Sequence, residues 1–198
     1  MDYRRRRIML AALQNRQTVA PREHEALLKQ LALEEVKEMY RDWTSLSLLD
    51  AQTSSPGIQL LRIAILEERI GDRLKNAVAV SSLLDASGQV GLVAHRLNHA
   101  NRHVRARALE VLDNTGDAKI NRWILKLLDT NDPATHVKEA ASAFQIEPMP
   151  LLATISAYVS DPCGWIRQCA GFAAMNLFYI SRDPCWQEVA ARAEKNLV

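Results

Sequence analysis

Asn101-Arg102-His103-Val104-Arg105-Ala106-Arg107-Ala108-Leu109, Asp132-Pro133-Ala134-Thr135-His136-Val137-Lys138-Glu139-Ala140-Ala141 and Asp161-Pro162-Cys163-Gly164-Trp165-Ile166-Arg167-Gln168-Cys169-Ala170 are three versions of one pattern. Each sets a cation directly after a β-branched residue (Val104-Arg105, Val137-Lys138, Ile166-Arg167) and an alanine four residues after that branch point (Ala108, Ala141, Ala170). Two open with Asp-Pro, a helix start in which Asp caps free N–H groups and Pro at the first helical position forfeits no bond. The branch points lie 33 and 29 residues apart, a period that suits stacked two-helix units. The expected fold is all-α: a right-handed α-solenoid of about three helical pairs.

Outward from the repeats, the chain divides into three. Residues 1–20 form a basic N-terminal tail or short helix. Residues 21–87 carry two long amphipathic runs. The first, with Leu28, Ala32, Val36, Met39, Trp43, Leu46 and Leu49 in steps of three and four, turns Glu34, Glu35, Lys37 and Glu38 outward. Pro56-Gly57 separates it from a second run over residues 58–86, and a short connection makes the two an antiparallel hairpin. Gly71-Asp72 is the weak point of the second run. Residues 88–198 hold the paired helices, with a third Asp-Pro start at Asp183-Pro184 opening a capping helix whose Val189 and Leu197 face inward. The repeated alanines are expected where helices cross closely, with Leu109, Leu112, Phe144, Phe172 and Met175 filling the space around them, so that Ala141→Leu should overpack the core.

With the copies in register, the Asp-Pro start, the Val/Ile-Arg/Lys pair and the following alanine resemble armadillo/HEAT-type α-solenoid repeats, over about residues 88–180. The segment 74–128, with Ala108-Leu109-Glu110-Val111-Leu112-Asp113-Asn114 and Trp123-Ile124-Leu125-Lys126-Leu127-Leu128, is similar to HEAT-type regions of bacterial proteins that follow transporter-like membrane domains. The resemblance implies an interaction surface and no catalysis. It also implies that the repeated cations Arg105, Lys138 and Arg167 pair with acidic residues of neighbouring repeats, Asp113, Asp132 and Asp161 being available.

Composition narrows the function. A net charge of +2 is too small to mark a nucleic-acid binder. Three cysteines, Cys163, Cys169 and Cys185, form no CxxC pair and are odd in number, pointing to a reducing, cytoplasmic setting. No run of about 18 apolar residues is present. Arg4 to Arg7 read first as a solvated tail, with peripheral membrane association on anionic lipid, or contact with RNA or an acidic partner, as the alternatives. His95, His99 and His103 recur at steps of four, but a turn expected after His99 spoils their common face and no acidic or Cys partner completes a metal set. No phosphate loop, nucleophile elbow or paired-carboxylate motif occurs, so no catalytic residue, metal or cofactor is assigned.

The function expected is non-enzymatic binding of a protein partner bearing an acidic segment. The partner-facing residues are Arg102, His103, Arg105, Arg107, Lys138, Trp165 and Arg167, with most weight on those that differ between copies. The alternatives are a HEAT-like nucleic-acid binder, tested by salt titration, and a HEAT-like bilin lyase or chaperone with a groove near Cys163 or Tyr158.

Overall fold

The computed structural model describes residues 2–14, 22–51, 55–97, 99–129 and 132–195, and every regular element among them is helical. In chain order these are α1 (Tyr3–Gln14), a 3₁₀ turn (Arg22–His24), α2 (Glu25–Asp50), α3 (Pro56–Ala64), a π-helical segment (Ile65–Ile70), α4 (Gly71–Leu84), α5 (Gln89–Val93) and a second 3₁₀ turn (Ala94–Arg96). The paired helices follow as α6 (Arg102–Asn114), α7 (Ala118–Asp129), α8 (Pro133–Phe144), α9 (Leu151–Tyr158), α10 (Gly164–Ser181) and α11 (Pro184–Lys195). The stretch 15–20 and Leu197 lie outside the described residues.

The chain forms two compact units, Met1–Met39 with Asp72–Asp132 and Tyr40–Gly71 with Pro133–Val198. In the first, Ala32 and Val36 of α2 are buried, as are Leu74 and Ala77 of α4 and Ile120 and Ile124 of α7. In the second, Leu46 and Leu49 of α2, Ile58 and Leu61 of α3, Ile155 of α9 and Ile166 of α10 are buried. Within the second unit Asp50 pairs with Arg62 and Asp42 with Arg69, so one partner advances as the other recedes, the order of antiparallel helices. No break occurs at Gly71-Asp72. Gly71 is helical (φ −58°, ψ −44°), and the preceding turn is instead widened to a π-helix, a local bulge that keeps the chain helical.

Helix starts follow from short polar side chains. Asn101 Oδ1 accepts from the N–H groups of His103 (2.9 Å) and Val104 (3.4 Å) to open α6, and Asp117 Oδ1 accepts from Lys119 and Ile120 to open α7. Before α5, Asp85 accepts from Val90 N–H, Ser87 N–H and the Ser87 hydroxyl. Burial opposes its charge, yet these hydrogen bonds hold its carboxyl below the usual range. Pro133 and Pro184 stand first in their helices, whereas α10 starts two residues after Pro162. There the Asp161 carboxylate takes the Cys163 N–H (2.8 Å) and pairs with Arg69, forming a turn ahead of the helix.

Two packing expectations are corrected. In the second copy the buried alanine is Ala140, and Ala141 is exposed. The inward face of α8 passes through His136, whose ring lies 4.6 Å from that of Trp43 and 5.8 Å from that of Tyr40, and Ala140 follows one turn later on the same face. Ala140→Leu should therefore cost about 1–3 kcal/mol, while Ala141→Leu stays within about 0.5 kcal/mol. Urea unfolding of the two variants separates these outcomes. Phe172, expected in the core, is exposed for a reason that α10 supplies.

Candidate interaction surface

Small residues shape α10. Its inner face is Ile166, Cys169, Ala170, Ala173, Ala174 and Leu177, all buried. This face admits neighbours closely: a Cβ built on Gly57 of α3 would stand 2.7 Å from Ala173 Cα, and one on Gly171 2.7 Å from the Ala193 Cβ of α11. With the small residues inside, the aromatics point out. Trp165, Phe172 and Tyr179 are 48%, 46% and 60% exposed, and Ile180 is 68% exposed. They recur every seven residues, two helical turns, with Gln168 exposed and Met175 half-buried three positions after the first two. Positions 165, 168, 172, 175 and 179 thus fall on the a and d sites of a heptad seam.

A buried polar cluster holds the start of this helix. Tyr158 donates to Asp42 Oδ1 (3.1 Å), Arg69 Nε donates to Asp42 Oδ2 (2.9 Å), and Arg69 also pairs with Asp161. The Arg69 guanidinium sits 5.2 Å from the Tyr158 ring centre. Burial, reinforced by Asp42, pushes the Tyr158 phenol well above its ordinary range. The cluster fixes geometry ahead of Trp165 and holds no exposed reactive group.

Charge on α10 is one-sided: Arg167 is its single charged side chain and Arg182 follows it directly. Arg167 Nη1 donates to the backbone carbonyl of Asp161 (2.7 Å), since that residue's carboxylate is committed to Arg69. Arg182, in the left-handed region at φ 60°, ends the helix with its guanidinium 5.9 Å from the Tyr179 ring. Arg105 and Lys138, the matching cations of the other two copies, are exposed.

The other sequence-derived candidates divide between the units. Arg102, His103, Arg105 and Arg107 are all exposed on the first turns of α6 in the first unit. Their basic patch is local, because Glu110 and Asp113 further along α6 line a shallow groove with Arg122, Lys126 and Asp129 of α7. Lys138, Trp165 and Arg167 belong to the second unit. Phe172 and Tyr179 were not singled out as surface residues by sequence reasoning. The signal that finds them is the seven-residue spacing from Trp165 set against the run of small residues between.

Elsewhere the reactive residue types are tied up. Arg6 pairs with Glu35, Arg7 with Asp72, and Arg4 Nε lies 4.0 Å from Asp72, while Arg5 pairs with Asp2. Arg4, Arg6 and Arg7 are thereby held against buried carboxylates of α2 and α4, while Arg5 remains 80% exposed. His95 Nε2 accepts from Arg96 Nε and His99 Nδ1 from the Asn101 N–H. Cys163 and Cys169 are buried, and burial pushes the Cys169 thiol up to about 11. Cys185 is exposed, its thiol raised by a hydrogen bond to Asp183. Among the described residues no helix is long and apolar enough to cross a membrane. Compared with family models, with curated proteins and with solved structures, the chain matches none.

Proposed function

We propose that the chain is a non-enzymatic protein-interaction module of HEAT-like solenoid type, which grips an amphipathic, acid-flanked helix of a partner along α10. The solenoid reading is supported by the buried alanines of α6, α8 and α10, Ala108, Ala140 and Ala170, which recur on inward faces at nearly constant spacing. The binding reading is carried by one observation: the exposed seam Trp165-Phe172-Tyr179. Aromatic residues dominate interface hot spots, and a heptad seam is the complement of another helix. Acidic flanks suit the partner because α10 bears no carboxylate and ends in Arg182, whose guanidinium lies against the Tyr179 ring of the seam.

Selection of helical peptides from a displayed library tests this. Enriched peptides should carry apolar residues at i, i+3 or i+4 and i+7 with acidic flanks. Their affinity should fall about 30-fold in Trp165→Ala and in Tyr179→Ala, the loss of a hot spot worth about 2 kcal/mol. Arg102→Glu with Arg107→Glu, on α6, should leave it unchanged. Failure to enrich any helical ligand, or binding indifferent to Trp165, overturns the proposal.

A further inference from the structure

Residues 86–109 contain four arginines, Arg96, Arg102, Arg105 and Arg107, and no carboxylate. Their four positive charges exceed the +2 of the whole chain, so the small net value conceals one concentrated basic surface. All four are exposed and belong to the first unit. Among the described residues, Arg102, Arg105 and Arg107 form no ion pair. Elsewhere in that unit Arg6, Arg7 and Arg73 are matched to buried carboxylates. The next acids along α6, Glu110 and Asp113, line a groove that Arg122 and Lys126 line as well.

Arg105, Ala106 and Arg107 are consecutive, so at about 100° per residue the two arginines project to opposite flanks of α6, with Ala106 on the crest between them. Arg102 lies one turn before Arg105 on the one flank, and His103 one turn before Arg107 on the other. The opposite face is held in the fold by the buried Ala108 and Leu112. No large apolar side chain of α6 is exposed, so the helix has nothing to insert into a lipid surface. Asn101 already accepts from the N–H groups of His103 and Val104, which leaves recognition to the side chains.

We propose that α6 seats its first two turns in the major groove of double-stranded DNA. A helix with its side chains is about 10–12 Å across, and that groove is about 12 Å wide. Cations on both flanks then face the two phosphate strands bordering the groove, Arg102 and Arg105 the one and Arg107 the other, while the small Ala106 lets the crest approach. An acidic peptide offers a single row of charge and meets one flank only. Glu110 and Asp113, in the later turns, keep that end of the helix away from phosphate. The contacts are to the backbone, so binding discriminates little between sequences. The surface is separate from the α10 seam, which belongs to the second unit.

Fluorescence anisotropy of the full chain with a labelled DNA duplex of about 20 base pairs, titrated at several KCl concentrations, tests the assignment. Neutralising three phosphates should give a slope of log affinity against log salt of about −2.7, a loss of about 40-fold between 50 and 200 mM KCl. Arg102→Gln, Arg105→Gln and Arg107→Gln should each make that slope shallower by about 0.9. Ala106→Glu, which sets a carboxylate on the exposed crest, should weaken binding about tenfold, with circular dichroism reporting that the helices persist. Lys138→Gln, in the second unit, should change nothing. An RNA duplex, whose major groove is too narrow for a helix, should bind more weakly. No saturable binding at 50 mM KCl up to about 100 μM protein, a slope indifferent to the three arginines, or equal binding to the RNA duplex, to phosphatidylglycerol vesicles or to polyglutamate each overturns the proposal.

Discussion

Replacing Glu35 with Gln is expected to lower the unfolding free energy by about 3–5 kcal/mol, the cost of breaking a buried ion pair from one side. Glu35 is fully buried on α2. Its Oε1 accepts from Arg6 Nη1 (2.9 Å) and Asn76 Nδ2 (3.0 Å), and its Oε2 from Arg73 Nη1 (2.8 Å). Glutamine keeps the shape but removes the charge, leaving Arg73 buried with Glu38 at 3.5 Å as its nearer remaining carboxylate. The Tyr3 ring, 4.9 Å from that guanidinium, compensates only partly, since a cation–π contact is worth about 0.5–2 kcal/mol. A loss of that size is a large share of the about 5–15 kcal/mol typical of a folded domain. The paired variant Glu35→Leu with Arg73→Leu should recover part of it, because the more deeply buried of the two guanidinium partners leaves with the carboxylate and only Arg6, 17% exposed, loses its partner. As a control, Arg62→Ala breaks the half-exposed pair with Asp50 and should cost no more than about 1 kcal/mol. Urea unfolding followed by circular dichroism measures all three. A Glu35→Gln variant as stable as the parent would mean that the carboxylate is not charged or not enclosed as described.

That buried carboxylate marks the limit of what periodicity reveals. The apolar stripe is buried from Ala32 through Val36, Met39, Trp43, Leu46 and Leu49, with Leu28 at its start half-buried, because steps of three and four keep these residues on one face of a helix. The same rule sends charges outward, and for Glu34 and Lys37 it succeeds, both being exposed. It fails for Glu35 and Asp42, whose burial depends on Arg73 and Arg69, distant in sequence. A pairing of that kind leaves no trace in local spacing. The repeat alignment fails differently. Matching letters put Val137 and Ala141 level with Val104 and Ala108, but contact with the Trp43 and Tyr40 rings places His136 and Ala140 on the inner face of α8.

The candidate surface was half legible for a related reason. Trp165 stands beside a helix start and one residue before the buried Ile166, so its exposure follows from local geometry. Phe172 and Tyr179 look like core residues on hydrophobicity alone. Only the tight crossings at Ala173 and Gly171 show that the inner face of α10 has no room for rings.

Gly57→Ala tests that crossing directly, and it should destabilise the chain by about 1–3 kcal/mol or more. The added Cβ would lie 2.7 Å from Ala173 Cα, 2.9 Å from Ala173 N and 3.0 Å from the Phe172 carbonyl oxygen. All three are backbone atoms, so relief requires α3 and α10 to separate. Separation would also strain the hydrogen bond from the Gly57 N–H to Asn176 Oδ1 (3.2 Å). The helix propensity gained by alanine, about 0.5–1 kcal/mol, is too small to offset the clash. The same substitution at Gly71 should have the opposite sign. That residue is already helical, and its new Cβ meets nothing nearer than the Leu66 carbonyl oxygen at 3.7 Å. Gly71→Ala should stabilise by about 0.4–1 kcal/mol, chiefly by restricting the unfolded chain. Denaturant midpoints for the two variants should therefore move in opposite directions. Because α10 carries Trp165, Phe172 and Tyr179, displacing it should also weaken helical ligands selected on the parent, whereas Gly71→Ala should leave their affinity intact. A stable Gly57→Ala variant with unchanged binding would show that α3 does not set the position of α10.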